Sequence, residues 1–107
     1  MSGVNVIQDA EFEASVLQAD QSVLVYFWAT WCGPCRLMSP MVESVANQFS
    51  DRLSVVKMEV DPNPESVKRC NVQGVPALVL FQNGTQVQSR EGVTSKQQIE
   101  EMLAAKL

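Results

Sequence analysis

The chain has 107 residues, 46% of them hydrophobic and 19% charged, with a formal net charge of −4. That length suits one domain around one core, and the apolar share is that of a globular protein rather than a disordered chain. The acidic balance argues against a nonspecific grip on nucleic acid, which needs a basic patch; no apolar run approaches the ~20 residues of a membrane span.

The N-terminal stretch MSGVNVIQDAEFE has neither a basic n-region nor a long apolar h-region, so no signal peptide is expected. Val4 to Ile7 reads as a short strand. Asp9 is placed to cap a helix over residues 10–18, with Phe12, Val16 and Leu17 on one face. Residues 23–28, VLVYFW, form a continuous apolar run whose β-branched and aromatic content predicts a strand buried on both faces. A long helix is predicted over 34–49, where Met38, Met41, Val42, Val45, Ala46 and Phe49 recur at helical spacing. Pro40 inside it removes one backbone hydrogen bond and is expected to bend it.

Residues 53–60, LSVVKMEV, predict another strand; Asp61-Pro62-Asn63-Pro64 breaks the chain before a short helix near 65–69. Residues 77–82 and 85–91, joined by Asn83-Gly84, predict a β-hairpin. Asn83-Gly84-Thr85 also fits a glycosylation pattern, but a turn explains it more simply. Ser95 with Gln98 fits a capping box for a last helix, with Ile99, Met102, Leu103 and Leu107 inward. Strands joined through helices give a parallel set, and the closing hairpin adds antiparallel strands, so the class is α/β with a mixed sheet.

The chemistry concentrates in residues 29–40, ATWCGPCRLMSP. Cys32 closes the strand-to-helix turn and Cys35 lies in the first helical turn. Side chains three apart on a helix have Cβ atoms ~5–6 Å apart, and a modest adjustment reaches the ~3.5–4.5 Å of a disulfide. The pair can therefore open and close without unfolding anything. Pro34 near the helix start costs little, because its missing N–H would be unpaired there anyway. An ordinary thiol of pKa ~8.5 is only about 3% ionised at pH 7. The unpaired N–H groups and positive dipole end of the first turn favour the Cys32 thiolate, and Gly33 leaves the sulfur uncovered. Three readings compete: a buried structural pair, a zinc site and redox chemistry. Zinc needs four ligands, whereas the chain has three cysteines and no histidine. No metal and no cofactor is expected, and redox chemistry carries the most weight.

Phe27-Trp28-Ala29-Thr30-Trp31-Cys32-Gly33-Pro34-Cys35 resembles the active-site signature of the thioredoxin family. The match extends along essentially the whole chain through Pro40, Lys57, Asp61, Gly74-Val75-Pro76, Phe81, Asn83-Gly84 and Gly92. A bare C-x-x-C is a weak signal; this one, with its flanking residues and a Val-Pro about forty positions downstream, is a strong one. The resemblance implies a thioredoxin fold over 1–107, a central five-stranded mixed sheet flanked by four helices. It implies reduction of disulfides in target proteins: Cys32 attacks, Cys35 resolves, and the resulting Cys32–Cys35 disulfide is reduced by a thioredoxin reductase, NADPH-linked or ferredoxin-linked. The implied substrate groove maps onto Trp31, Gly33, Pro34, Gly74, Val75, Pro76, Gly92 and Val93, with the bond before Pro76 cis and the Val75 backbone pairing with an extended substrate. A monomer in the cytoplasm is expected, or in a plastid stroma if a transit peptide was removed. The alternative is a binding module that uses the same groove without redox chemistry.

One position departs from the family. Where relatives carry a buried Asp in the strand before the motif, this chain has Tyr26. A neutral phenol cannot take the proton from Cys35 as that Asp is credited with doing. Lys57, the family partner of the Asp, remains as a candidate catalytic residue in its neutral form, with water as the other acceptor. Glu59 lies on the same strand face, two residues along. Cys70 reads as a small core filler, or as a regulatory thiol open to oxidation.

Overall fold

The structure, a computed structural model, describes residues 3–107. Five strands, β1 (Val4–Val6), β2 (Ser22–Trp28), β3 (Leu53–Glu59), β4 (Ala77–Gln82) and β5 (Thr85–Glu91), form one sheet in the order β1-β3-β2-β4-β5. β1, β3 and β2 run parallel, while β4 and β5 run antiparallel to their neighbours. The helices are α1 (Gly33–Gln48), α2 (Pro64–Arg69) and α3 (Lys96–Ala104), preceded by a helical stretch between β1 and β2. The mixed sheet with four flanking helical segments is the architecture the sequence implied.

The run in β2 explains how the layers form. Leu24 and Tyr26 point into a core shared with Met38, Val42 and Val45 of α1 and Ile99, Met102 and Leu103 of α3. Val23, Val25 and Phe27 point the other way, into a core with Ile7, Phe12, Val16, Met58 and Cys70. Alternate residues of a strand face opposite sides, so a central strand covered on both sides must be apolar throughout. Each large side chain so buried contributes about 1.5–3 kcal/mol.

Three expectations are corrected. The first helix is not one α-helix capped by Asp9. It is a 3₁₀ turn over Asp9–Glu11, with Gln8 as N-cap, followed by a π-helical turn over Glu13–Leu17. The Asp9 carboxylate is engaged elsewhere: it accepts hydrogen bonds from the backbone N–H groups of Glu65 and Ser66 (3.1 and 2.9 Å) and from the Ser66 hydroxyl (2.6 Å). Leu107 is exposed, because α3 ends at Ala104 and the chain beyond no longer follows helical spacing. Gly84 is more than a turn residue. Its φ is 76°, and a Cβ there would stand 2.8 Å from the Leu17 carbonyl oxygen, so both the hairpin and the neighbouring backbone require glycine.

The site is positioned by strand register. Phe27 pairs with Ala77, and Ala77 with Glu91. The ends of β2 and β3, the start of β4 and the end of β5 therefore meet at one pole of the sheet. The Val60 N–H donates to the Trp28 carbonyl (2.9 Å) and the Gly92 N–H to the Pro76 carbonyl (2.8 Å), fastening the loops that leave this pole.

Candidate functional site

β2 delivers the chain to the head of α1, and the turn between them holds Cys32 and Cys35. Their sulfurs are joined in a disulfide across Cα atoms 5.4 Å apart. Cys32 is the N-cap of α1, and its sulfur accepts the Cys35 backbone N–H at 3.2 Å. One of the orphan donors of the helix start is thus aimed at the sulfur, and α1 carries no acidic residue in its first turn to compete for the positive pole. A negative charge on Cys32 is stabilised by this arrangement once the disulfide opens.

The sulfurs are less open than Gly33 suggested. Nothing stands within 4 Å of where a Gly33 Cβ would be, yet Cys32 is only 5% and Cys35 only 2% exposed. Ala29 packs with the pair, and Trp28, Val60 and Val75 close round them.

The residues assigned to the groove lie on the turns and loops at this pole of the sheet. Trp31 is 66% exposed and its indole N–H donates to the Asp61 carboxylate at 2.9 Å. Gly33 and Pro34 are exposed at the head of α1, Val75 is half-buried and Pro76 buried. The Val75–Pro76 bond is cis, as the resemblance implied. Gly92 adopts a φ of 88°, a left-handed turn conformation that favours glycine, and nothing among the described residues crowds it. Val93 is exposed beside it. Trp31, Val60, Val67, Val72, Gln73, Gly74 and Val75 line a cavity of about 170 Å³ adjoining the disulfide.

Beneath the site, Tyr26 fills the position of the missing carboxylate. It is buried, and its hydroxyl donates to the Cys35 carbonyl at 2.9 Å. The Ser39 hydroxyl donates to the same carbonyl at 3.0 Å and lies 3.3 Å from the phenol oxygen. Burial pushes the Tyr26 phenol above its ordinary value, against a smaller opposing pull from Ser39. Lys57 pairs in register with Tyr26 across β2 and β3, but its amine sits 5.6 Å from the centre of the Trp28 ring, a cation–π contact. The ion pair found among the described residues is Arg52–Asp51, so neither Glu59 nor any other described carboxylate neutralises Lys57. Trp28 Nε1 is buried with no acceptor among the described residues.

Cys70 is 3% exposed in the α2-side core, and burial pushes its thiol up to about 12 despite the neighbouring Arg69 charge. Burial of this kind is that of a core filler and disfavours the thiolate. Sequence reasoning missed two features of the site: the Trp31–Asp61 bond and a carboxylate, Glu91, that accepts the Gln73 N–H at 2.8 Å. Only the fold brings these pairs together.

The thioredoxin family profile matches residues 3–105. A thioredoxin-like protein of Synechocystis sp. is 50% identical over 101 residues, 94% of this chain and 93% of that one. A thioredoxin of Alicyclobacillus acidocaldarius is 42% identical over 98 residues, 92% of each chain. A bifunctional thioredoxin reductase/thioredoxin of Mycobacterium leprae is 42% identical over 96 residues, 89% of this chain but 21% of the longer protein. With a disulfide at the helix head and relatives of this kind along nearly its full length, the chain belongs to the thioredoxin family and is a protein-disulfide reductase acting by thiol–disulfide exchange.

Proposed function

We infer that Cys32 is the attacking and Cys35 the resolving cysteine of this exchange. The Cys32 thiolate attacks one sulfur of a target disulfide, forming a mixed disulfide and expelling a target thiolate. Cys35, deprotonated, then attacks the Cys32 sulfur; the Cys32–Cys35 bond forms and the second target thiolate leaves. Two electrons pass to the target and the chain ends oxidised. The observation that carries this assignment is the Cys35 N–H directed at the Cys32 sulfur, which favours charge on that atom and not on its partner.

Trp31, Gly33, Pro34, Gly74, Val75, Pro76, Gly92 and Val93 hold the target, with the Val75 backbone pairing to an extended segment. The phenol of Tyr26 is bound outward to the Cys35 carbonyl and is no base at neutral pH. Lys57, the only candidate side chain the sequence offers here, and water are the acceptors proposed for the Cys35 proton, with the Lys57 amine lying over the Trp28 ring. A thioredoxin reductase, NADPH-linked or ferredoxin-linked, returns the pair to the dithiol; the fusion of both activities in the Mycobacterium leprae relative supports this partner. The chain works as a single-domain monomer in a reducing compartment such as the cytoplasm.

Insulin reduction by dithiothreitol tests the function. The wild type accelerates it and Cys32→Ser does not; equal rates would show that the groove binds without redox chemistry. Capture of mixed disulfides by Cys35→Ser then identifies the targets.

A further inference from the structure

Glu91 stands against the loop that carries Gln73 and Gly74. It is the last residue of β5, and β5 pairing sets it opposite Ala77, directly after Pro76. One carboxylate oxygen accepts the Gln73 N–H at 2.8 Å, and the other lies 3.6 Å from where a Gly74 Cβ would be. The carboxylate therefore rests along the Gln73–Gly74 backbone, beside the wall of the 170 Å³ cavity that adjoins the disulfide. It is exposed, and no described cation forms an ion pair with it. Asp61, tied to Trp31, is a second unneutralised carboxylate on the same groove. Asp61 lines the adjoining cavity together with one cation, Lys68, and exposed Arg36 follows Cys35 in the first turn of α1.

We propose that Glu91, reinforced by Asp61, makes this groove selective for disulfides whose reacting cysteine is flanked by a basic side chain, and that it disfavours acidic flanks. The proposal rests on the reductase reading above and adds a substrate class to it. Glu91 is a specificity residue with two separable actions. As a hydrogen-bond acceptor it fixes the Gln73–Val75 segment; as a charge it sorts substrates. Glutamine retains an acceptor and removes the charge, so the two are distinguished by substitution.

The test uses reduced full-length protein and two short cyclic disulfide peptides, identical except for Lys or Glu beside each cysteine. Single-turnover oxidation is followed by indole fluorescence, since Trp28 and Trp31 adjoin the disulfide. At low ionic strength the wild type reacts roughly 3- to 10-fold faster with the Lys peptide, and salt erodes the ratio, as exposed charge pairs require. Glu91→Gln cuts that ratio at least about twofold, and Glu91→Lys brings it to one or below. A loop-fixing role alone would slow both peptides equally and leave the ratio untouched. The same ratio in all three proteins overturns the proposal while the reductase reading stands. Failure of the wild type to react with either peptide overturns that reading and this inference with it.

Discussion

The heads of α1 and α2 leave the same pole of the sheet, and each has a proline in its first turn, Pro34 and Pro64. Both present orphan N–H groups and a positive dipole end, yet they are capped by different chemistry. At α2 the cap is a carboxylate from another part of the chain. Asp9 receives three hydrogen bonds from Glu65 and Ser66, and Asn63 returns the contact by accepting the Asp9 N–H at 2.7 Å. At α1 the cap is a sulfur with one bond of 3.2 Å. The first arrangement fixes a charge permanently and serves stability. The second offers the same positive pole to an atom that gains its charge only when the disulfide opens, and so serves reactivity.

The largest effect comes from removing the sulfur cap. Cys32→Ser keeps a good N-cap, because a serine oxygen accepts the Cys35 N–H as well as sulfur does. The fold should survive, while insulin reduction falls to the dithiothreitol background. Retention of even a tenth of wild-type turnover would separate the helix head from the chemistry and break the comparison.

Next is Tyr26→Asp, which restores the family carboxylate beneath α1. Burying a carboxylate costs several kcal/mol unless it is well paired. Lys57 is in register with position 26, but its amine is occupied with Trp28. The urea midpoint should fall, and a rise would refute the claim that the aromatic was the more stable choice. The same variant sharpens the kinetic side. With no carboxylate at position 26 to take its proton, Cys35 attack in the wild type should depend more steeply on pH between 6 and 9 than in Tyr26→Asp. Identical single-turnover profiles would show that position 26 takes no part in the proton transfer.

Breaking the carboxylate cap has a smaller effect. Asp9→Ala should cost about 0.5–2 kcal/mol, the usual range for an N-cap, and leave insulin reduction unchanged. Burial alone would raise the Asp9 value, but the Ser66 hydroxyl and the Ser66 and Glu65 N–H groups outweigh it and hold it below 3.8. A carboxyl depressed by folding adds stability that is complete above its unfolded value and disappears as pH drops through its folded value. The difference in urea midpoint between wild type and Asp9→Ala should therefore shrink from pH 5 to pH 3. A constant gap would assign the loss to packing instead of charge.

The contrast between the two helix heads also marks what the sequence could disclose. The α1 cap is local: Cys32 and Cys35 are three apart and their partnership follows from helical spacing. The α2 cap joins residues 56 and 57 positions apart, and in the sequence Asp9 points instead to the helix beside it, where an acidic residue is an equally good cap. VLVYFW announced its own burial because both of its faces are apolar. Glu91 announced nothing, since its place on the groove depends on β4–β5 register and on where Gln73 lies after α2. Gly84 was legible as a turn, but the Leu17 carbonyl against it belongs to a segment 67 positions earlier (84 − 17). Local signals set the elements and the cysteine pair; the contacts that tune them come from the packing of distant segments.

The smallest effect concerns the cysteine with no such cap. In the oxidised protein Cys70 is the one free thiol of the three cysteines. Its value is pushed up to about 12 from 9.0, chiefly by burial. A group whose folded value is raised contributes stability that is complete below its unfolded value and lost as pH rises through its folded value. Between pH 8 and pH 10 the unfolded chain gains an ionised Cys70 that the folded chain does not, so the wild type loses stability over that range. Cys70→Ala lacks that penalty, although it loses some packing at neutral pH. Its urea midpoint should lie below the wild-type value at pH 8 and close the gap by pH 10. Parallel curves would mean that this thiol ionises in the folded protein as readily as in the open chain, and that the core on the α2 side admits water the way the head of α1 admits a substrate.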